Sequence, residues 1–155
     1  MSYLGLDPKV HQSGIAPARH GSISKQGCAG ARWALVESAW VVARAPGPLH
    51  AFAERIRARR GANVAAVAVA RKLVVLFWHM LTKDEEYAYG RPSLTAEKRR
   101  RVELTAGAPS VRGKRNGGRV YASTEQRLRE QQVAVNAERA YRQFVSQRKA
   151  VTRTT

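Results

Sequence analysis

The residues with chemical potential in this 155-residue chain crowd into its first 32 positions. Ser13 stands between Gln12 and Gly14, and Gly21-Ser22-Ile23-Ser24-Lys25-Gln26-Gly27 follows a few residues later. A serine hydroxyl is a weak nucleophile at neutral pH and needs a base, a metal or strong local cations before it attacks. Attack on a phosphodiester also needs cations to offset charge on the phosphoryl oxygens. Arg19, His20, Lys25 and Arg32 lie close enough in sequence to be considered, and Gly14 would let a nucleic-acid backbone come near. Ser-Gly pairs are also common turn formers, so the residue types alone leave Ser13 between a turn serine and a nucleophile. The Ser22–Lys25 loop is equally balanced. It suits a phosphate at a helix N-terminus, and it suits plain helix capping. It is not a P-loop, since it has no Gly-Lys-Ser/Thr ending and no preceding strand is expected.

Other chemistry is sparse. His11, His20, His50 and His79 lack zinc-type spacing, and His79 reads as a packed or hydrogen-bonded residue of an apolar helix. The only aspartates are Asp7 and Asp84, too few for a two-metal nuclease, and Asp84-Glu85-Glu86 reads as a solvated cluster. No metal ligands are assigned. Cations dominate instead: net charge is +17 and the isoelectric point is about 11.3. Such an excess calls for a polyanion, and nucleic acid is a commoner one than a membrane surface. Arg55-Ile56-Arg57-Ala58-Arg59-Arg60 and Lys98-Arg99-Arg100-Arg101 are phosphate-binding candidates, with affinity but little sequence choice. The lone Cys28 rules out an internal disulfide. Residues 1–20 carry no signal-peptide pattern, and Arg71, Lys72 and His79 interrupt the apolar stretch Val64–Leu81, so a cytoplasmic, nucleoid-associated protein with no membrane partner is expected.

The elements that must position these residues are helical. Glycines and prolines make residues 1–30 read as loop and turns. A helix is expected over about 31–44, with Trp33, Val36, Trp40 and Ala43 on one face and burial on most sides. A second is expected over 48–60, between Pro48 and Gly61, with a stripe of Leu49, Phe52, Ala53 and Ile56. A third runs over 63–83, with Val69, Leu73, Leu76, Phe77, Met80 and Leu81 at helical spacing. Short connections allow neighbouring helices to pack antiparallel. A short helix over 95–104, a flexible basic linker over 107–119 and a polar, helix-prone, partly ordered segment over 123–149 complete the chain. The fold class is mainly α: a compact helical domain (1–105) after a Gly/Ser-rich loop, then a basic, partly disordered helical tail (106–155).

The ordered set of motifs resembles the C-terminal domain of the IS-one-ten family of insertion-sequence transposases, above all its IS-eleven-eleven branch. The resemblance rests on Gly5-Leu6-Asp7-Pro8, Ser13-Gly14, the Gly21–Gly27 loop, Arg32, and Ala70-Arg71-Lys72-Leu73 with Leu76-Phe77-Trp78. It covers about residues 3–95. It implies DNA transposition by phosphoryl transfer, with Ser13 as the nucleophile that forms a phosphoserine link to DNA, and a binding role for the Ser-Lys loop. Arg19, Ser24, Lys25 and Arg32, together with Arg57, Arg59 and Arg60 of the basic run, are the expected DNA contacts. It further implies a magnesium-binding acidic domain upstream, an oligomeric full-length enzyme, and a bridge RNA as partner of that enzyme. The chain is therefore expected to be a truncated or split transposase that binds DNA without recombining it alone. A non-catalytic basic nucleic-acid-binding remnant is the alternative.

Overall fold

The structure, a computed structural model, describes residues 2–109 and 123–151. It is mainly α-helical and divides into two compact units, residues 1–85 and 86–155. The linker expected over 107–119 lies mostly outside the described residues.

The first unit opens with a 3₁₀ turn, Ser2–Leu4, and a two-stranded antiparallel hairpin, β1 (Pro8–His11) and β2 (Arg19–Ile23). Three helices follow: α1 (Ala29–Val42), α2 (Pro48–Arg60) and α3 (Ala62–Lys83). The hairpin corrects the expectation of loop and turns alone over residues 1–30. Pro-Lys-Val-His and Arg-His-Gly-Ser-Ile lack the alternating β-branched pattern that marks a strand. The pairing is fixed instead by what happens at its base. Ser24 N donates to Asp7 O (2.8 Å), Lys25 N to Gly5 O (3.1 Å) and Cys28 N to Tyr3 O (3.1 Å). Gly5 (φ +61°) and Gly27 (φ +92°) meet where these segments cross. A β-carbon on Gly5 would strike the Gln26 backbone, and one on Gly27 would strike the Tyr3 carbonyl. Both positions therefore require glycine for conformation and for space.

This crossing drives Leu6 into the helical core, where it is fully buried beside Ala39, Ala53, Val69, Ala70 and Leu73. α3 is the central helix and packs on both α1 and α2. The buried line is rich in alanine (Ala65, Ala66 and Ala70 on α3; Ala51 and Ala53 on α2; Ala39 on α1), which lets helix backbones approach closely. By length and composition α3 is apolar enough to cross a bilayer, but its buried line faces two neighbouring helices and Arg71 and Lys72 stand exposed at its middle.

Two packing expectations are corrected. α1 is not buried on most sides: Ala39 lies on its inner line with half-buried Leu35, Val36, Val42 and Ala43, while Trp33 is 67% exposed. The second half of α3 runs past its partners, leaving Phe77, Trp78 and Leu81 exposed. His79 is also exposed and meets the Trp78 ring edge-on at 4.9 Å. The contacts follow the small residues, which set where helices can approach, rather than the largest apolar ones.

The second unit contains α4 (Pro92–Thr105) and α5 (Thr124–Val151). α4 begins three residues earlier than expected because Pro92 sits in its first turn, where a missing N–H costs nothing. Glu130 of α5 accepts from both the Ser93 N–H (3.2 Å) and the Ser93 hydroxyl (2.6 Å), so α5 supplies the cap that α4 lacks locally. The Ser93 hydroxyl, with help from the Ser93 N–H, Gln126 and Arg91, holds the Glu130 carboxyl below its usual value.

Two predictions test these joints. Leu6→Ala should cost about 3 kcal/mol in urea unfolding, and Gly27→Ala at least as much, because the new methyl meets a carbonyl that cannot move. Gly30→Ala, with nothing within 4 Å of its new methyl, should be neutral or stabilising by less than about 1 kcal/mol. A depressed Glu130 pKa means that the capping contribution is complete above the ordinary carboxylate value of 4.5 and is lost as pH falls through the lower folded value. The Ser93 amide resonance should therefore hold steady down to about pH 4.5 and move only below it; a midpoint above 4.5 would contradict the capping geometry.

Candidate nucleic-acid interface

The sequence-selected residues fall into three places. At the hairpin tip, His11 and Arg19 form the last rung of the β1–β2 pairing, and the loop 12–18 that they close carries Ser13. Ser13 is exposed and makes no hydrogen bond among the described residues. A β-carbon at neighbouring Gly14 would meet nothing within 4 Å, so the backbone there is open to a close approach. Arg19 is the one sequence-selected cation at this end. His11, which the spacing argument set aside as a ligand, is its partner across the ladder and a proton acceptor within two residues of Ser13.

The base of the hairpin is different. The Ser24 hydroxyl donates to Asp7 Oδ1 (2.8 Å), and Arg32 Nη1 donates to the Leu4 carbonyl (3.1 Å). The N–H groups of Ser24, Lys25 and Cys28 are taken by backbone carbonyls of residues 3–7. Helix capping does not explain the loop either, since the N-cap residue of α1 is Cys28, with no side-chain cap. The Ser-Lys loop instead holds the N-terminal segment, while Lys25, on a left-handed residue (φ +59°), is exposed along with Ser22 and Gln26. Four strand steps of about 3.3 Å separate this end from the tip, so Ser24, Lys25 and Arg32 do not gather around Ser13.

The basic run of α2 also divides. Arg55 is half-buried, its guanidinium over the Phe52 ring at 5.4 Å, with Lys72 over the same ring at 5.7 Å. Its Nε is buried without a hydrogen-bond partner. Arg57 pairs with Glu54 (3.4 Å). Arg59 and Arg60 are exposed and line an open cleft of about 970 Å³ between β2, the end of α2 and the start of α3. Arg71 and His20 join them, and Ile23, Ile56 and Val67 form the apolar floor. Among the described residues no acidic one lines the cleft. The α3 N-terminus, capped by no side chain, opens there as well, so its dipole adds positive potential. Such a trough suits an extended polyanion. Arg71 was missed as a cleft residue because it reaches Arg59 and Arg60 only through the α2–α3 hairpin, 11 residues on in sequence.

The division between fold-holding and free cations is measurable. Arg32→Leu should lower stability by about 2 kcal/mol, because a charge-assisted hydrogen bond to a partly buried carbonyl is lost. Arg60→Leu should stay within about 0.5 kcal/mol of the parent. Equal effects in urea unfolding would contradict the distinction.

No curated protein and no solved structure matches the chain. Residues 1–54 match the family model described as Transposase IS116/IS110/IS902 family, a span that holds the hairpin, Ser13, the Ser-Lys loop, α1 and the start of α2. Over that span the chain is similar to an IS110-type transposase.

Proposed function

We propose that this chain is the DNA-engaging part of a serine-dependent transposase, with Ser13 as the nucleophile. The observation that carries the reading is the match over residues 1–54, together with the exposure of Ser13 at the tip of a hairpin anchored at its base. In the reaction, Ser13 Oγ forms a bond to a DNA phosphorus, and the bond from that phosphorus to a deoxyribose oxygen breaks. The serine proton leaves to a base, and the released deoxyribose oxygen takes up a proton. The phosphoserine diester keeps the bond energy of the original linkage, so a second DNA hydroxyl can reverse the step and join strands. His11 is the nearest candidate base by position, and Arg19 lies where it can offset charge on the phosphoryl oxygens. Arg59 and Arg60, joined by Arg71, hold the DNA backbone along the cleft, and the exposed Lys25 and Arg57 are further phosphate contacts. Ser24 and Arg32 act on DNA indirectly, by keeping the hairpin where it is.

The magnesium implied by the family resemblance does not fit the residues described. No group of three His, Cys, Asp or Glu side chains among them converges on a point, and Asp7 is engaged by Ser24. No step is therefore assigned to a metal on these residues. A magnesium-binding domain, oligomerisation and a guide RNA belong, in this reading, to the full-length enzyme.

Fluorescence anisotropy and adduct capture test the proposal together. With a metal-binding transposase half supplied in trans, the chain should form a covalent adduct on duplex DNA that maps to Ser13. Ser13→Ala should abolish the adduct while leaving DNA affinity within twofold. Replacing Arg59, Arg60 and Arg71 by Gln should lower the slope of log K against log salt by about 2–3, at roughly 0.9 per lost phosphate contact. Salt-sensitive binding with no adduct would leave the chain as a non-catalytic DNA-binding protein. An adduct that survives Ser13→Ala would remove Ser13 from the mechanism.

A further inference from the structure

The four basic residues of α4 are used unequally. Arg100 Nη1 donates to Glu103 (3.3 Å) and its Nη2 to the Pro109 carbonyl (2.9 Å), which ties the chain leaving α4 back onto the helix. Lys98, Arg99 and Arg101 are exposed, and their side chains make no hydrogen bond or ion pair among the described residues. Glu97 stands four residues before Arg101, at the spacing that favours a helical ion pair, yet does not pair with it. Lys98 and Arg101 share a face one turn apart, and Arg99 stands about 100° round the helix. The fold therefore takes one cation of the run and leaves three.

These three have a defined support. The helix that carries them is capped through Ser93 by Glu130 of α5, so the anion that satisfies its N-terminus lies away from the basic turn. Residues 86–155 hold 16 basic and six acidic residues, a net charge of +10, more than half of the chain's excess. A membrane surface is the poorer partner. Interfacial helices segregate an apolar face from a basic one, whereas Leu94 and Val102 each stand four residues from Lys98, on its face. Lys98 and Arg101 stand one turn apart on the helix, and their long side chains can reach neighbouring phosphates from there.

We propose that α4 is a second DNA-backbone contact, separate from the cleft of residues 1–85, in which Lys98, Arg99 and Arg101 neutralise phosphates of duplex DNA without reading its sequence. It rests on DNA being the partner, but not on Ser13 or on the cleft. Its effect is to give the chain two independent holds on DNA.

The test is anisotropy of the full chain with a labelled duplex of arbitrary sequence across a salt series. Lys98, Arg99 and Arg101 are replaced together by Gln, a residue that keeps helix propensity, and circular dichroism checks the fold. The salt slope should fall by about 2–3, and affinity at about 0.15 M salt should drop tenfold or more. The same replacements in a chain already lacking the cleft arginines should produce a similar further loss. An unchanged slope in the α4 variant, with the parent still binding DNA, would overturn this inference and leave the cleft reading intact. Loss in the α4 variant with no effect of the cleft variant would uphold it and count against the cleft. Preferential competition by anionic vesicles of phosphatidylserine or by duplex RNA would also overturn it.

Discussion

Two glycines at one backbone crossing, Gly5 against Gln26 and Gly27 against Tyr3, each with no room for a β-carbon, set the geometry of the hairpin base. Gly5 and Gly27 let segments 3–7 and 24–28 cross, and the crossing consumes the backbone N–H groups of Ser24, Lys25 and Cys28. Three consequences follow. Leu6 becomes the plug that joins the N-terminal segment to the helical core. Arg32 comes within reach of the Leu4 carbonyl and ties α1 to the same knot. The hairpin leaves from a fixed base, so that its tip, with Ser13, His11 and Arg19, projects into solvent in a fixed direction. A short two-stranded hairpin of poor β-formers is marginal by itself; here its base supplies the stability that its sequence does not.

That arrangement explains why serine, lysine and arginine residues close in sequence take such different roles. Near the crossing the Ser24 hydroxyl is engaged by Asp7 and the Arg32 guanidinium by the Leu4 carbonyl, while Lys25 and, at the tip, Ser13 are open to solvent. The same sorting recurs among the other cations. Arg55 packs on Phe52, Arg57 pairs with Glu54, and Arg100 holds the end of α4, while Arg59, Arg60, Lys98, Arg99 and Arg101 have no carboxylate partner among the described residues. A basic run is therefore a mixture of structural and available charges, and only the three-dimensional contacts separate them.

Much of the helical architecture could be read from the sequence. Pro48 and Gly61 bound α2 because one tolerates a missing N–H and the other a left-handed φ, and α3 shows in the periodic Val69 and Leu73. The hairpin could not be read, because its pairing depends on contacts between residues about 20 apart rather than on strand propensity. The exposure of Trp33 and Leu81 was equally hidden: helical spacing says which residues share a face, not which face a neighbour covers. Of the candidate site, Arg59 and Arg60 are singled out by residue type and spacing, and Ser13 by the family resemblance. Arg71 and the cleft required the α2–α3 turn, and the structural employment of Ser24 and Arg32 required the crossing.

The central claim is that DNA is held at the hairpin and at the cleft beside it. Amide-resolved nuclear magnetic resonance of the full chain, titrated with a short duplex, tests this most directly. The account predicts shifts concentrated at residues 11–22, 59–64 and 71, with additional shifts along α4 and little change at Gly5, Gly27 or the buried line of α3. Shifts confined to residues 86–155, with the hairpin and cleft unmoved at saturation, would contradict it.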